Sequence, residues 1–489
     1  MSIKTVGIAG TGLIGAGWAA RLLIRGYDVI AYDVSPQAEA RLKAAIDVAW
    51  PSMQRLVGLS GPRGTLTFTT NLEEMASKAD FIHEAAPERE ALKIKLFADM
   101  DAIAKPDVIL SSSSSGFLPT RLQSECKHHP ERVIIGHPFN PVYLLPLVET
   151  VPGEKTSPHM MDKAGEYYEA IGMHVLRLKK EIDGYICDRL QEALWREALH
   201  ILNKDIGTTG DIDDSIVYSA GMRWAFMGSF LTYHVAGGPG GMRDFIKQFD
   251  PTLELPWTDL SFPKWNDALE KRLVEGCEAQ AQGQSVAEIE AKRNEVLVDM
   301  MQLFKHHKVG AGLVLAREEE RKGKQARRWQ PSDDVSKPLN LCQGEVLSQW
   351  IDYNGHMNDA DYLTAFGEGL DAFFRYIGDD EAYRATGNTF FTAETHLTYH
   401  REMKLGEAFR IETQVLGADA KRMHLFHRMY HQASGELVAT NEIMQLHVNQ
   451  AQGKVCPMRD DLYQALSAIW SAHQKLASPE QKGRIIGAK

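Results

Sequence analysis

The sequence predicts three successive domains. They are a doubly wound α/β domain with a mostly parallel sheet over residues 1–182, an all-α domain over 183–318 and, past a linker at 319–338, an α+β domain over 339–489. Three observations carry this. Short apolar runs alternate with helical patterns in the first third of the chain, which favours a parallel sheet covered by helices on both faces. From Asp183 the pattern turns helical and stays so to about Leu315. Residues 316–338 are polar and charge-dense, and beyond Leu341 the style changes again.

In the first domain the strand-like runs are Val6–Ala9, Val29–Tyr32, Phe81–Ala85, Val108–Ser112 and Val133–Gly136. Ala16–Arg25 follows the first of them as a helix, and Tyr185–Asn203 is a long helical stretch that opens the second domain. The last domain reads as one helix, Ala360–Tyr376, followed by strands at Phe390–Tyr399, Phe409–Leu416, Met423–Tyr430 and Leu437–His447. Gly406, Gly417 and Gly435 punctuate those strands, as an antiparallel sheet with short connections requires.

Composition narrows the function. The chain has 489 residues, 44% hydrophobic, and a formal charge of −11. That balance argues against nucleic acid as a partner, because phosphate binding needs clustered Lys and Arg. The five cysteines, Cys126, Cys187, Cys277, Cys342 and Cys456, are scattered and never paired as C-x-x-C. Neither a disulfide framework nor a metal site is expected, and a reducing, cytoplasmic setting fits best. The N-terminus runs straight into a strand, unlike a signal peptide. No apolar run is long enough to cross a membrane, so no membrane partner is expected.

Gly10-Thr-Gly12-Leu13-Ile14-Gly15 is a G-x-G-x-x-G motif between a strand and a helix, the context that makes it informative. The glycines allow a tight turn, close approach of a pyrophosphate and close helix–strand packing, with the phosphates at the helix N-terminus. Asp33, eighteen residues after Gly15 at the end of the second strand, suits a ribose 2′-OH and repels a 2′-phosphate. NAD is the expected cofactor. FAD, which uses the same fingerprint, is the rival.

His137 follows a strand directly, and Glu149 lies twelve residues on. A neutral imidazole can take the proton of an alcohol as hydride leaves its carbon, and a carboxylate behind it fixes the tautomer. Ser115 closes the serine run 111–115 just past a strand end, where α/β sheets place ligands. Asn140 stands ready to orient the substrate or the nicotinamide amide.

Residues 1–315 resemble the 3-hydroxyacyl-CoA dehydrogenases and their relatives acting on free 3-hydroxy acids. The motifs are Val6–Gly17, Glu84–Phe97, His137-Pro-Phe-Asn140-Pro with Glu149, and Asp183–Leu190. The resemblance implies a Rossmann-type NAD domain and a His137–Glu149 pair that moves the proton, assisted by Ser115 and Asn140. It also sets Glu88 and Lys93 against the nicotinamide half of the cofactor. A second assisting asparagine of the family falls on Asp188. An anion there suits a cationic substrate better than an anionic acyl-CoA. The helical domain's Trp195, Trp224, Phe226, Phe230 and Tyr233, together with Phe139 and Tyr185, are candidates to face a quaternary ammonium group, and Arg223 is a candidate to pair with a carboxylate. A zwitterionic 3-hydroxy acid such as L-carnitine meets that description, with 3-dehydrocarnitine as product.

Residues 340–470 contain Asp352-Tyr-Asn-Gly355-His356-Met-Asn358 leading into the domain's helix, and resemble the hot-dog thioesterases of the 4-hydroxybenzoyl-CoA type. The resemblance implies Asp352 as nucleophile or base, an oxyanion site at the backbone N–H groups near Asn358 and Asp359, and His356 and Asn358 either shaping the loop or meeting the substrate. Asp361 and Glu368 are rival carboxylates. The expected thioester is betainyl-CoA, whose hydrolysis gives glycine betaine and CoA. Both families point to a homodimer. Two other readings stay open: a dehydrogenase of another 3-hydroxy acid or acyl-CoA with a hot-dog used only for dimerisation, and a catalytically quiet NAD-binding protein. The intact His137/Glu149 pair speaks against the second, and Asp188 against an acyl-CoA substrate.

Overall fold

The computed structural model describes residues 3–58, 62–249, 257–262 and 264–484. Two units are distinguished: residues 1–23, 27–56 and 64–317 form one, and residues 24–26, 57–63 and 318–489 the other.

The first unit is built on an eight-stranded sheet. Its strands are β1 (Thr5–Ala9), β2 (Asp28–Tyr32), β3 (Leu66–Thr69), β4 (Phe81–Glu84), β5 (Ile109–Ser112), β6 (Val133–Pro138), β7 (Leu147–Pro152) and β8 (His174–Arg177). The spatial order is β3-β2-β1-β4-β5-β6-β7-β8. All neighbours are parallel except β6 and β7. Strand order reverses between β1 and β4, and at such a switch point the carboxyl ends of the strands leave a crevice.

The sheet is apolar because both faces are covered. Val6, Ile8, Ile30, Phe81, Ile82, Ile109, Leu110 and Ile134 are buried within it. The helix Leu13–Leu23 adds Trp18, Leu22 and Leu23, each fully buried; such a side chain contributes about 2 kcal/mol. Strands β3, β7 and β8 were absent from the sequence reading. They are four to six residues long and lack the long apolar runs of the central strands.

Beyond β8 the unit is helical, with Cys187–Asn203 and Gly221–Ala236 among its helices. Many apolar side chains there lie open: Tyr218 is 77%, Met222 68% and Phe230 80% exposed.

The second unit is an antiparallel sheet around a helix. Strands β9 (Leu339–Glu345), β10 (Asn388–Tyr399), β11 (Ala408–Asp419), β12 (Arg422–His431) and β13 (Leu437–Asn449) lie in the order β10-β13-β12-β11-β9, with β14 (Lys454–Val455) on β13. The helix Asp359–Ile377 buries Tyr362, Phe366, Gly369 and Phe373 at helical spacing against this sheet. Asn358 caps it: its side-chain oxygen accepts from Ala360 N–H at 2.9 Å. The expected single helix is corrected. A second one, Asp460–His473, packs Leu462, Leu466 and Ile469 into the same core.

Candidate functional site

The glycine loop lies at the β1/β4 switch point. Gly10 has φ +102°, and a Cβ there would come 2.5 Å from the Ala85 carbonyl oxygen. At Gly15 a Cβ would lie 2.0 Å from the Gly10 oxygen, so helix and loop approach as only glycine permits. Gly12 faces open space, and Leu13 is 66% exposed. This is a backbone cradle with free N–H groups at a helix start. Asp33 shapes it: its carboxylate accepts from Thr11 N–H at 3.2 Å, from Thr11 Oγ1 at 2.8 Å and from Ser35 N–H at 3.1 Å. The cradle and the acid at the end of β2 fit NAD.

His137 and Glu149 stand opposite one another in the β6–β7 register. Directly paired residues of antiparallel strands share a face, which is why residues twelve apart in sequence meet. His137 Nδ1 is 3.0 Å from Glu149 Oε2. The other carboxylate oxygen of Glu149 accepts from the N–H groups of Ile186 and Cys187, both at 3.0 Å. Burial pushes Glu149 up, but the bonds from His137, Cys187 and Ile186 outweigh it and hold the carboxyl below its usual value. It is therefore an anion behind the imidazole.

On the other side, His137 Nε2 is 3.0 Å from Ser115 Oγ and 3.8 Å from Asp188 Oδ2. Ser115 is exposed at the sheet's carboxyl edge, so Nε2 opens toward the cleft. Asp188 stands in the first turn of the helix Cys187–Asn203. Burial raises its pKa, His137 opposes that rise, and Glu149 adds to it. Phe139 meets the imidazole edge-on with centroids 4.7 Å apart. Asn140 is exposed beside it.

Four expectations need correction. Lys93 does not reach the cofactor cleft. Its side chain is 1% exposed, and Nζ is engaged by Glu84 at 2.7 Å, the Ala86 carbonyl at 3.1 Å and Glu88 at 3.2 Å. Two of these partners accept hydrogen bonds from the ammonium, and Glu88 completes an ion pair with it. Glu88, whose side chain is 48% exposed, alone of the two faces outward. Tyr185 offers no aromatic face: it is 0% exposed, packs 5.4 Å from His137 and donates its hydroxyl to the Phe117 carbonyl at 2.8 Å. Arg223 and Trp224 lie on the helix Gly221–Ala236, which packs on its neighbouring helices, and neither lines the cavity beside Asp188. That cavity, about 1080 Å³, is lined by Asp183, Asp188, Glu192, Trp195 and Asp213 among others. Trp195, another of the aromatic candidates, is among the lining residues.

Sequence reasoning also missed Glu84, Ser112 and Ser114. Glu84 is 0% exposed at the end of β4, and a charged residue closing an apolar strand at the carboxyl edge was the available signal.

In the second unit, Asp352 lies in a turn closed by Gly355 N–H to the Asp352 carbonyl at 3.0 Å. Its carboxylate accepts from Asn354 N–H at 2.8 Å and Asn354 Nδ2 at 3.2 Å. Asp352, His356, Tyr362, Tyr399, Arg401 and Lys404 help line a cavity of about 1030 Å³. His356 Nε2 is 3.2 Å from Glu402. Asp361 and Glu368 do not line it. Asn358 shapes the loop as a helix cap, since its side-chain oxygen holds Ala360 N–H and its own N–H donates to the Trp350 carbonyl at 2.7 Å. Of the two N–H groups expected to form an oxyanion site, that of Asp359 is left without a partner among the described residues.

Comparison with known proteins agrees with this layout. Residues 5–182 match the family profile described as 3-hydroxyacyl-CoA dehydrogenase, NAD binding domain, and residues 184–264 the profile of the C-terminal domain of those enzymes. Residues 346–466 match the thioesterase-like superfamily. A Rhizobium meliloti protein named L-carnitine dehydrogenase/betainyl-CoA thioesterase is 42% identical, covering 100% of this chain and 99% of its own length. A Burkholderia mallei protein named L-carnitine dehydrogenase is 50% identical over 61% of this chain and 93% of its own. Among solved structures, an NAD⁺-dependent dehydrogenase of a 3-hydroxy-2-methylpyridine carboxylic acid superposes with a TM-score of 0.54 at 26% identity, over 62% of this chain and 99% of that one. The chain belongs to the L-carnitine dehydrogenase/betainyl-CoA thioesterase family, with domains of the 3-hydroxyacyl-CoA dehydrogenase type followed by a thioesterase-like domain.

Proposed function

We propose that this chain oxidises L-carnitine to 3-dehydrocarnitine with NAD and hydrolyses betainyl-CoA to glycine betaine and CoA. One observation carries the first activity: an imidazole backed by the buried Glu149 carboxylate at 3.0 Å, with Ser115 at 3.0 Å and Asp188 at 3.8 Å on its open nitrogen. In this reading the substrate hydroxyl lies against Ser115 Oγ and gives its proton to His137 Nε2. Glu149 fixes the Nδ1–H tautomer and stabilises the imidazolium that forms. When bound, NAD supplies the acceptor for the hydride. Gly10, Gly12, Leu13, Ile14, Gly15 and Asp33 hold it, and Glu88 faces its nicotinamide half.

Asp188 favours the trimethylammonium end of the substrate, with Trp195 and Glu192 continuing the cavity away from His137. In the second unit Asp352 attacks the thioester carbonyl or activates water, and the Asp359 N–H polarises that carbonyl. The chain acts as a homodimer, a reading supported by the open apolar side chains of the helical region.

NADH formation is to be followed with L-carnitine, 3-hydroxybutyrate, L-gulonate and 3-hydroxybutyryl-CoA. L-carnitine is expected to give the highest kcat/KM; preference for the acyl-CoA would overturn the reading. His137→Ala is expected to lower oxidation by about 10²–10⁴-fold while NADH still binds.

A further inference from the structure

Glu84 is given no role above, yet it stands at the centre of the groups that do have one. It ends β4 at the switch point, and its side chain is 0% exposed. One carboxylate oxygen accepts from Lys93 Nζ and from Ala86 N–H, both at 2.7 Å. The other accepts from Ser112 Oγ at 2.5 Å. The Glu84 carbonyl accepts from Ser113 N–H at 2.8 Å.

From there two short chains of bonds lead outward. Lys93 reaches Glu88 at 3.2 Å, and Ser114 Oγ donates to the other oxygen of Glu88, so that exposed carboxylate is held on both sides. Ser112 Oγ accepts from Ser114 N–H at 3.2 Å, which fixes the turn carrying Ser115, 3.0 Å from His137 Nε2.

The helix Glu90–Ile103 offers a comparison within the same domain. Lys93 lies in its first turn, and Asp101 in its last turn makes a second buried ion pair, with Arg132 at 3.0 Å. That pair ties the Ala104 carbonyl and the N–H groups of His128 and His129, all at the opposite end of the sheet. A buried ion pair is weak support for stability, because desolvation offsets the attraction. A network that instead fixes two residues at the reacting edge calls for a reason of position.

We propose that Glu84 is a positioning residue for the dehydrogenase reaction, holding Glu88 through Lys93 and Ser115 through Ser112. The proposal rests on the NAD-dependent reading of the cleft.

The test compares Glu84→Gln, the double variant Glu84→Gln/Lys93→Met, and Asp101→Asn in the full chain, by NADH fluorescence titration, steady-state oxidation and thermal melting. Glu84→Gln is expected to lower kcat by about tenfold or more and to weaken NADH several-fold, with KM for the alcohol nearly unchanged. The double variant removes the buried ammonium that has lost its buried carboxylate and keeps only Glu88 and the Ala86 carbonyl, so its melting temperature should recover relative to the single variant while kcat stays low. Asp101→Asn should lower the melting temperature and leave kcat and NADH affinity near normal. Wild-type kcat and NADH affinity in the double variant would overturn the proposal, as would an equal loss of kcat in Asp101→Asn. If the wild-type chain oxidises no hydroxy acid, the functional reading fails; NADH affinity still decides the proposal, and an unchanged value across the Glu84 variants overturns it.

Discussion

Asp188 is the residue that most separates this cleft from one built for an acyl-CoA. A carboxylate 3.8 Å from His137 Nε2 attracts a cation and repels an anionic ligand. Replacing it by asparagine keeps the shape and removes the charge. Asp188→Asn is expected to raise KM for a quaternary ammonium hydroxy acid by about tenfold, the equivalent of one charged contact, and to change KM for a neutral analogue far less. Equal losses for both substrates would defeat the charge argument. The residues at this scale were unevenly legible. His137, Glu149, Ser115 and Asp188 sit in short motifs whose chemistry is visible in the letters. Burial is not visible there: Lys93 lies in the motif Glu84–Phe97, yet its side chain is 1% exposed and bound to Glu84 inside the domain. The sequence does not separate Trp195 from Trp224, since both stand on helices and only packing decides which one lines the cavity with Asp188.

Elements were legible where period and length agreed. The central strands β1, β2, β4, β5 and β6 and the strands β10 to β13 are long or strongly apolar, and the chain reads them directly. β7 is not legible as a strand, although it carries Glu149 and pairs with β6 at His137. Proline at 141 and 146 disguised the connection between them as loop. Among the strands of the second unit, β12 carries a titrating group whose consequence can be measured. His427 is fully buried, with Nδ1 2.9 Å from Thr413 Oγ1 and Nε2 without a partner among the described residues. Burial drives its pKa from 6.5 down to about 4. Above pH 6.5 both folded and unfolded chains keep the ring neutral, and stability is full. As pH falls below that, the unfolded chain takes up a proton that the folded ring refuses. Stability should therefore decline between pH 6.5 and about 4 and level off beneath, by on the order of 3 kcal/mol. Denaturant titrations of wild type and His427→Gln check this. The variant should lose that part of the slope, and a slope equal to that of wild type would remove His427 as its source.

At the scale of the whole molecule, the candidate residues of each site fall within one of the two units. His137, Glu149, Ser115, Asp188 and the glycine loop belong to one, and Asp352, His356 and Asp359 to the other. The order of domains was legible because composition changes at the charge-dense stretch before β9. The size of the helical region's open apolar surface was not, since exposure follows from packing rather than from pattern.

This division predicts separable activities. His137→Ala should abolish NADH formation and leave thioester hydrolysis near normal, and Asp352→Ala should do the reverse, read in one preparation by NADH absorbance and by release of free CoA thiol. Ligand linkage gives an independent check. A ligand that binds only the folded form stabilises by RT ln(1 + [L]/Kd), so saturation at about a hundred times Kd adds about 2.7 kcal/mol. That increment reaches only the cooperative unit that holds the ligand. NADH should thus raise the melting transition of the first unit by several degrees and leave that of the second in place. Asp352→Ala should not alter the shift, because its side chain contributes nothing to the nucleotide cradle. A single transition that moves as a whole with NADH would mean that the units unfold together. Loss of both activities in either variant would mean that the chemistry is shared as well.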